Sequence, residues 1–549
     1  MEEVLLARIN RLPDRDRQLL QAAAVVGKDV PITLLREIAE MPDDELRSDL
    51  GRLQAAELIY EMHDLPDVAY TFKHALTHDV AYESLLHGRR RMLHNRLVEA
   101  IERLYGDGLS AELERLAHHS FAGEAWEKAA RFAREAAAKV YARSAAAAEA
   151  ALLYDRALLA LSRLPLTRDR MEETVDLHLA IRTPLAQLLE HERVLEHLRE
   201  AERLAAGLAD RRRLGRVYTF MTAVHYETAA YEEARRYGAR ALELVTGEGD
   251  WEIEFVVRYF LAQIALWSGD HREALNLYEQ AIALDAAHEG SPRSGVFVNR
   301  LPVVVAWTAI CLAELGRFTE AVAQADRALR LAEDEPFNRV VAHLGVGRVH
   351  LERGDLATAV PALEQAFHLC HRTNNLLYLV QVIAALGYAR ALWGAPAEGL
   401  ALLETAVSRA HARRQAVVAS TLAWQGEALF LAGRPEEAWA AVERACALAR
   451  ERGERCHEAR ALHLLGKLAL DREPADLDDA ERHFRQGLAL AEALGMRPLL
   501  AHCHLGLGRL CRRVEKSPEA EEHLITASTM YREMEMRLWL AEADPEPRG

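Results

Sequence analysis

Small residues recur at fixed distances from a series of glycines in the second half of the chain. Seven residues before each glycine, and again five and twelve residues after it, the residue is alanine or glycine every time. The glycines themselves are 47, 38, 40 and 39 residues apart, at Gly269, Gly316, Gly354, Gly394 and Gly433. Apolar residues between these positions follow the spacing of a helix face. The pattern predicts a row of helical hairpins with a glycine at each turn.

A repeat of about 40 residues resembles the tetratricopeptide pattern with a longer period than usual. Ala234 extends it upstream, and Phe484 and Gly508 extend it downstream. We therefore predict an all-α fold, a tetratricopeptide-like α-solenoid in which helical hairpins stack into a superhelix with a concave face. The predicted array covers residues 211–543, with more degenerate hairpins at 106–210 and a frayed tail at 544–549.

The first 105 residues follow a different pattern. Apolar residues at helical spacing predict helices at 14–26, 32–39 and 45–55, with Asp14 as a candidate N-cap and Pro31 in a first turn. Two β-rich runs at 58–60 and 68–72 then predict a hairpin. Three helices followed by a hairpin is the order of a winged helix. We predict a small winged-helix domain with a β-hairpin and a linking helix over residues 1–105.

The N-terminal region also resembles a known family. Three segments carry the resemblance: LLARINRLPDRDRQLLQAAAVVGKDV, LRSDLGRLQAAELIY and YTFKHALTHDVAYESLLHGRRRMLHNRLVEAIE. They are similar to the winged-helix region of bacterial STAND-type signalling ATPases, in which a tetratricopeptide-like region follows and a class III adenylate/guanylate cyclase domain is often fused. The sequence holds no GxxxxGK[ST] loop. We therefore expect neither ATP hydrolysis nor cyclic-nucleotide synthesis, and no cofactor, from this chain.

The resemblance also implies a role for one histidine. STAND proteins use a winged-helix histidine to contact the phosphates of bound ADP, and His74, within Phe72–Leu76, fits that position. His74 would act as a nucleotide-phosphate sensor only when an ATPase domain docks on it. His74 and His78 have the i, i+4 spacing of a metal-binding pair, but no third ligand accompanies them, so we expect no metal.

The concave face supplies the candidate partner-binding residues. In tetratricopeptide geometry, this face is lined by residues ten, six, three and two positions before each turn. The candidates chosen by that rule are Tyr259, Gln263, Trp267, Glu314, Arg348, Glu352, Tyr388, Glu427 and Phe430. No base stands ten residues before any turn, which argues against a clamp for a peptide carboxylate. The mixture of aromatic and acidic residues favours a basic or apolar peptide or protein, whereas Trp307 and Trp424 are expected in the core.

Charge and cysteine content limit the remaining function classes. The chain has 549 residues and a net charge of −16, with 84 acidic and 68 basic residues. An acidic surface repels nucleic acid, and the third predicted helix is itself rich in acids. Six cysteines without a CxxC motif indicate reduced thiols. No apolar run is long enough to span a membrane, so we expect a cytoplasmic protein.

These observations favour a non-catalytic protein-interaction and sensor arm of a STAND-type signal-transduction system. It would bind a protein or peptide on its concave face, with an ATPase or cyclase chain as a further partner in trans. One alternative is the regulatory C-terminal part of an adenylate/guanylate cyclase–ATPase that is inert alone. The other alternative is a DNA-binding transcriptional regulator, which the acidic charge disfavours.

Overall fold

The computed structural model describes residues 2–64, 67–144, 146–247, 250–291, 301–333, 335–373, 375–412, 415–472 and 474–543. The chain divides into two compact units, Met1–Leu185 and Ala186–Gly549. The division falls inside the segment predicted to hold degenerate hairpins, and the predicted tail lies outside the described residues. Among those residues, no helix combines the length and the apolar character needed to cross a membrane.

The first unit begins with short helices around a small sheet. Its first elements are α1 Glu2–Asn10, α2 Asp14–Val26, β1 Asp29–Pro31, α3 Ile32–Ala39, α4 Asp43–Ala55, β2 Ile59–Asp64, β3 Asp67–Phe72 and α5 Ala75–Glu83. The three strands are antiparallel in the order β1-β3-β2, and Ile59 pairs with Phe72 in the hairpin. The predicted helices and hairpin are confirmed. Asp14 is the first helical residue and not the N-cap, which is Pro13.

Strand β1 was not predicted, because three residues are too few to show an alternating pattern. Val30 at its centre is fully buried, and Pro31 ends the strand and precedes the first residue of α3. Pro31 pairs with Ala69 at the edge of the sheet, where its missing N–H leaves no ladder hydrogen bond unmade. The predicted bounds of the second helix, 32–39, match α3, and Pro31 is its N-cap and not a residue of its first turn.

Helices alone complete the described part of the first unit. They are α6 His87–Tyr105, a 3-10 helix Gly106–Glu112, α7 Leu113–Ala122, α8 Trp126–Ser144, α9 Ala147–Leu161 and α10 Arg168–Gln187, within which the division between the units falls. Helices α7 and α8 pack as a hairpin whose turn residue, Glu124, has a left-handed backbone.

The second unit is a row of helical hairpins. Its helices are α11 His191–Gly207, α12 Arg211–Glu227, α13 Tyr231–Val245, α14 Trp251–Ser268, α15 His271–Ala287, α16 Leu301–Glu314, α17 Phe318–Ala332, α18 Pro336–Arg353, α19 Leu356–Thr373, α20 Leu376–Leu392, α21 Pro396–Ala412, α22 Val418–Leu431, α23 Pro435–Arg452, α24 Arg455–Asp471, α25 Leu477–Leu494, α26 Arg497–Arg513, α27 Ser517–Glu533 and α28 Arg537–Ala543. From α12 to α27, each even-numbered helix pairs with the helix that follows it. The predicted tetratricopeptide-like solenoid is confirmed.

The small residues identified in the sequence lie where paired helices approach most closely. All five turn glycines have positive φ angles between 74° and 91°, a conformation in which a side chain is strained. A Cβ atom placed on Gly426 would lie 2.2 Å from a methyl group of Val442, and one on Gly347 would lie 2.4 Å from Leu363. Glycine at these positions lets the two helices of a hairpin make contact.

The row of hairpins curls tightly enough to touch itself. The turn at Gly269 packs against Leu494, five hairpins further along the chain. In the same way, the turn at Gly316 packs against Met534 and the turn at Gly354 against Leu538. The second unit is therefore a superhelix in which the later hairpins form a second layer on the earlier ones.

The close approach at Gly426 leads to a stability prediction. Replacing Gly426 by Ala should lower the free energy of unfolding by about 1–3 kcal/mol, because the new methyl group overlaps Val442 and crowds the carbonyl of Ala438. The matched control is Gly207→Ala at the end of α11, where no atom lies within 4 Å of an added Cβ. Thermal unfolding followed by circular dichroism should show a lower midpoint for the first variant and no decrease for the second. Equal midpoints would contradict the proposed packing.

Candidate functional site

A cavity of about 110 Å³ lies on the inner face of the superhelix. Residues of α18, α20, α22, α24, α25, α26 and α28 line it, and all of these except α25 and α28 are the first helices of their hairpins. Four of the residues predicted to lie on the concave face line this cavity: Arg348, Glu352, Tyr388 and Glu427. The spacing rule thus identifies side chains that meet in space although they are up to 79 residues apart.

A buried ion network lies at one side of the cavity. The Arg460 guanidinium donates to Glu314 Oε2 at 2.5 Å and to Glu352 Oε1 at 2.8 Å. Burial alone would raise the pKa of Glu314, but Arg460 and Arg348 hold it below its usual value. Burial raises the pKa of Glu352, which shares Arg460 with the other carboxylate. Because α16 and α18 supply the acids and α24 supplies the base, the network connects the two layers.

A second polar group lies on the neighbouring helices. The Tyr388 hydroxyl donates to Glu427 Oε2 at 2.7 Å, and the Lys467 ammonium donates to Glu427 Oε1 at 3.1 Å. Despite its burial, Glu427 keeps a lowered pKa because Lys467 and Tyr388 stabilise its charge. The Lys467 ammonium also lies 5.3 Å from the centre of the Phe430 ring. The acids that suggested a basic partner are therefore already paired within the chain.

Aromatic rings and uncharged imidazoles complete the walls. The rings of Tyr388 and Trp424 stack in parallel with their centres 5.3 Å apart. Burial, strengthened by the positive charges of Arg460 and Lys467, lowers the pKa of His463 and of His502 to about 3. These imidazoles are neutral at physiological pH, so they add hydrogen-bonding capacity to the cavity but no charge.

Contacts between the layers close the superhelix beside the cavity. The Tyr231 hydroxyl donates to Glu454 Oε1 at 3.1 Å, and His271 Nδ1 lies 3.0 Å from the carbonyl oxygen of Leu494. Burial raises the pKa of Glu454 to about 7. The backbone N–H of Ala416 donates to the carbonyl of Glu227 at 2.9 Å. These bonds join residues about 190 to 220 positions apart and determine how far apart the walls of the cavity lie.

Three other candidate residues on the concave face lie in the interior. Gln263 accepts from the Tyr226 hydroxyl and donates to the Tyr278 hydroxyl, at 3.0 and 2.9 Å. Trp267 donates to the Tyr226 hydroxyl at 3.0 Å, and the hydroxyl of Tyr259 lies 3.3 Å from that of Tyr378. The exposed fractions of Tyr259, Gln263 and Trp267 are 7%, 0% and 6%. The second layer covers this part of the concave face, so these side chains do not line the cavity.

Two tryptophans with the same spacing, both expected in the core, lie in different environments. Trp307 is buried as predicted, with 1% of its surface exposed. Trp424 instead lines the cavity, with Tyr388 stacked against it and the Arg348 guanidinium carbon 4.8 Å from its ring centre. Trp424 was placed in the core wrongly, because a tightly curved superhelix turns a wider arc of each first helix inward.

Residues of α24 and α26 were missed because their hairpins lack a turn glycine. The turn after α26 uses Glu515, with a φ angle of 57°. In α24 and α26, the glycine that stands seven residues before the expected turn can replace the turn as the reference. Counted in this way from Gly466, the rule selects four lining residues, His463, Lys467, Leu470 and Asp471. Counted from Gly508, it selects Leu505 and Arg509, which line the cavity, and Arg512 and Arg513, which do not. This count does not select Arg460, which lies one helical turn earlier in α24 than the rule reaches.

His74 lies at an exposed position in the first unit. It is the N-cap of α5 with an extended backbone, φ −139° and ψ 139°, so it does not share a helix face with His78. The i, i+4 interpretation of this pair was wrong for that reason. His78 Nδ1 lies 2.9 Å from Asp79 Oδ1, and its ring stacks on Tyr82.

Elsewhere in the described chain, we find no group of three or more His, Cys, Asp or Glu residues arranged to hold a metal ion. All six cysteines are free and buried. Burial raises the pKa of the Cys370 thiol to about 12, which keeps it protonated and unreactive.

Comparisons with known proteins agree with the repeat geometry. The tetratricopeptide repeat family matches residues 213–287, which form α12 to α15. An uncharacterized protein of Rhizobium meliloti (strain 1021) is 31% identical over 125 residues, a match that covers 22% of this chain and 12% of that protein. The chain thus spans about an eighth of the length of this curated relative.

Solved structures with a similar fold are distant in sequence. A signal transduction ATPase with numerous domains and a tetratricopeptide repeat sensor, from Pyrococcus horikoshii, is 12% identical, with 81% of this chain and 64% of that chain covered and a TM-score of 0.44. A Rap protein complexed with competence and sporulation factor is 13% identical, with 68% and 100% covered and a TM-score of 0.48. The Rap conjugation gene regulator of plasmid pLS20, in complex with the Phr* peptide, is 15% identical, with 68% and 98% covered and a TM-score of 0.43.

The position of Arg460 leads to a second stability prediction. Arg460→Met leaves Glu314 buried without its main partner, and removing one member of a buried ion pair costs about 3–5 kcal/mol. The control is Arg455→Met at the exposed start of the same helix. Chemical denaturation should show the loss for Arg460→Met alone, and adding Glu314→Gln should recover part of it. An Arg460→Met variant as stable as the control would mean that the network does not hold the layers together.

Proposed function

We propose that this chain is the partner-binding sensor arm of a STAND-type signalling ATPase system, and that its inner cavity takes part of a protein or peptide partner. The observation that carries the binding role is the cavity, where four residues chosen by concave spacing meet Arg460, Lys467 and Trp424. Its volume of about 110 Å³ suits a side chain or a chain end and excludes a folded domain. Tyrosine, tryptophan and arginine are the residues that most often dominate the energy of binding.

Peptide display on the immobilised chain tests the binding role. Peptides selected on the wild-type chain should lose binding to Ala423→Leu, because Ala423 lines the cavity and a larger side chain fills it. The control is Ala401→Leu, the same substitution on the exposed face of α21. Peptides that bind both variants equally would place the partner outside the cavity, and the proposed site would be wrong.

The signalling context is supported by the sequence resemblance and by the first unit. Its element order, α2-β1-α3-α4-β2-β3, with an antiparallel sheet ordered β1-β3-β2, is that expected of a winged helix. We propose that this module docks on an ATPase domain in trans and that His74 contacts the bound nucleotide. If the ATPase partner also carries a cyclase domain, the chain would regulate cyclic-nucleotide synthesis.

A DNA-binding role receives no such support. In α4, the Arg52 guanidinium donates to Asp16 at 2.7 Å and to Asp49 at 2.6 Å, so its charge is already neutralised. The first turn of α4 carries three acids, Asp43, Asp44 and Glu45. This surface would repel a phosphate backbone.

A pull-down with and without nucleotide tests the signalling context. The chain should capture a separate protein with a GxxxxGK[ST] loop, and ADP should strengthen the capture. His74→Ala should remove the effect of ADP, because the imidazole is proposed to contact its phosphates. His87→Ala, which changes another exposed histidine of the same unit, is the control. Capture that does not respond to nucleotide, or a His74→Ala variant that responds as the wild type does, would contradict the proposal.

A further inference from the structure

Arg348 lacks a hydrogen-bond acceptor in the part of the chain that the structure describes. Its side chain lines the cavity with 13% of its surface exposed, and its nearest carboxylate oxygen, Glu314 Oε1, is 3.8 Å away. The other oxygen of Glu314 is taken by Arg460 at 2.5 Å. The Arg348 guanidinium carbon lies 4.8 Å from the centre of the Trp424 ring, a cation–π contact that holds it at the cavity wall. The ion pair with Glu314 thus leaves the guanidinium donors of Arg348 without a hydrogen bond from the described chain and open to an acceptor in the cavity.

Two further polar atoms of the lining are also unsatisfied. The indole Nε1 of Trp539 and the Nδ1 of His457 are buried without a hydrogen-bond partner among the described residues. Burying an unpaired donor costs free energy, so such groups in a native structure call for an explanation. Both atoms are covered by neighbouring protein atoms, so the hydrogen-bonding group that a ligand in the cavity can reach is the Arg348 guanidinium.

The charges nearest Arg348 come from one other base and two acids. Arg348 and Arg460 face Glu314 and Glu352, and Tyr388 faces Glu352 from α20. Burial, with the charge of Glu314, raises the pKa of Glu352. Of the two acids, Glu352 is therefore the one that takes up a proton more readily when a further negative charge approaches. Lys467 does not change this balance, because Glu427 neutralises it.

The remaining lining combines apolar residues with polar ones, among them Ser420, Asp471 and the ion pair of Arg509 with Glu542. Leu351, Leu464, Leu505 and Phe484 line the same cavity. An apolar group that fills this space would gain free energy by leaving water, at roughly 25 cal/mol per Å² of buried surface. The ligand that matches all of these features joins one carboxylate to a small apolar group.

We propose that the cavity binds a carboxylate attached to a small apolar group, and that the Arg348 guanidinium recognises the carboxylate through paired hydrogen bonds. This inference rests on the proposed binding role of the cavity. The carboxylate is either that of a small organic acid or the C-terminus of a peptide that ends in an apolar residue. The missing base ten residues before each turn does not oppose it, because Arg348 stands six residues before Gly354.

Calorimetric titration of the full chain with matched acids and amides tests the proposal. The probes are 3-phenylpropionate with 3-phenylpropionamide, and the peptide acetyl-Leu-Phe as free acid and as C-terminal amide. At least one acid should bind and its amide should not. Arg348→Gln should weaken acid binding about tenfold or more, since a hydrogen bond to a charged group is lost. Arg348→Lys should retain part of the affinity, and Arg434→Gln, an exposed residue outside the lining, should retain all of it.

Each outcome decides between the alternatives. Binding of both acids assigns recognition to the carboxylate and a small apolar group, whereas binding of the peptide acid alone assigns it to a peptide C-terminus. Equal binding of acid and amide, no binding of either acid, or full affinity in a folded Arg348→Gln variant would overturn the proposal. Circular dichroism establishes that each variant is folded.

The peptide-display experiment separates this inference from the function on which it rests. If displayed peptides require an open cavity but bind equally well to Arg348→Gln, the proposed binding role is supported and the proposed carboxylate site is wrong. If acid binding requires Arg348 but displayed peptides bind Ala423→Leu as well as they bind the wild type, the carboxylate site is supported and the peptide-binding role is wrong.

Discussion

The ion network around Arg460 is the interaction on which the inner architecture depends. Arg460 reaches Glu314, 146 residues earlier, and Glu352, 108 residues earlier, and thereby fastens the second layer of the superhelix to the first. Removing three charged groups from water is costly, and their attraction compensates only when the geometry is good. That geometry exists because α16, α18 and α24 hold the side chains in place. The same contact that closes the superhelix therefore also forms one wall of the cavity.

Much of the fold follows from local pattern. The turn glycines and the small residues inside the paired helices lie at contacts between neighbouring helices, which a periodic sequence records directly. The helices and the hairpin of the first unit follow for the same reason. Each of these features depends on residues that lie close together in the chain.

The curvature of the superhelix does not follow from local pattern. It is the sum of small rotations between successive hairpins, and no single position in the sequence encodes it. For this reason Tyr259, Gln263 and Trp267 have the spacing of concave residues and yet lie beneath the second layer. The same curvature brings Trp424 to the cavity and brings Arg460 to acids more than 100 residues away. The acidic charge of the candidate concave residues also suggested a basic partner wrongly. These acids pair with Arg460 and Lys467, which lie far away in the sequence.

The contact between layers changes how such an array should fold. In an open solenoid each repeat touches only its neighbours, so stability is a sum of nearest-neighbour terms and the end repeats fray independently. Here the turns at Gly269, Gly316 and Gly354 are covered by residues 184 to 225 positions away. Contacts at such sequence separation raise the contact order, which slows folding, and they couple distant hairpins into one cooperative unit. Helix α28 packs against the turn at the end of α18. Its loss would therefore destabilise hairpins in the middle of the chain as well as those at its end.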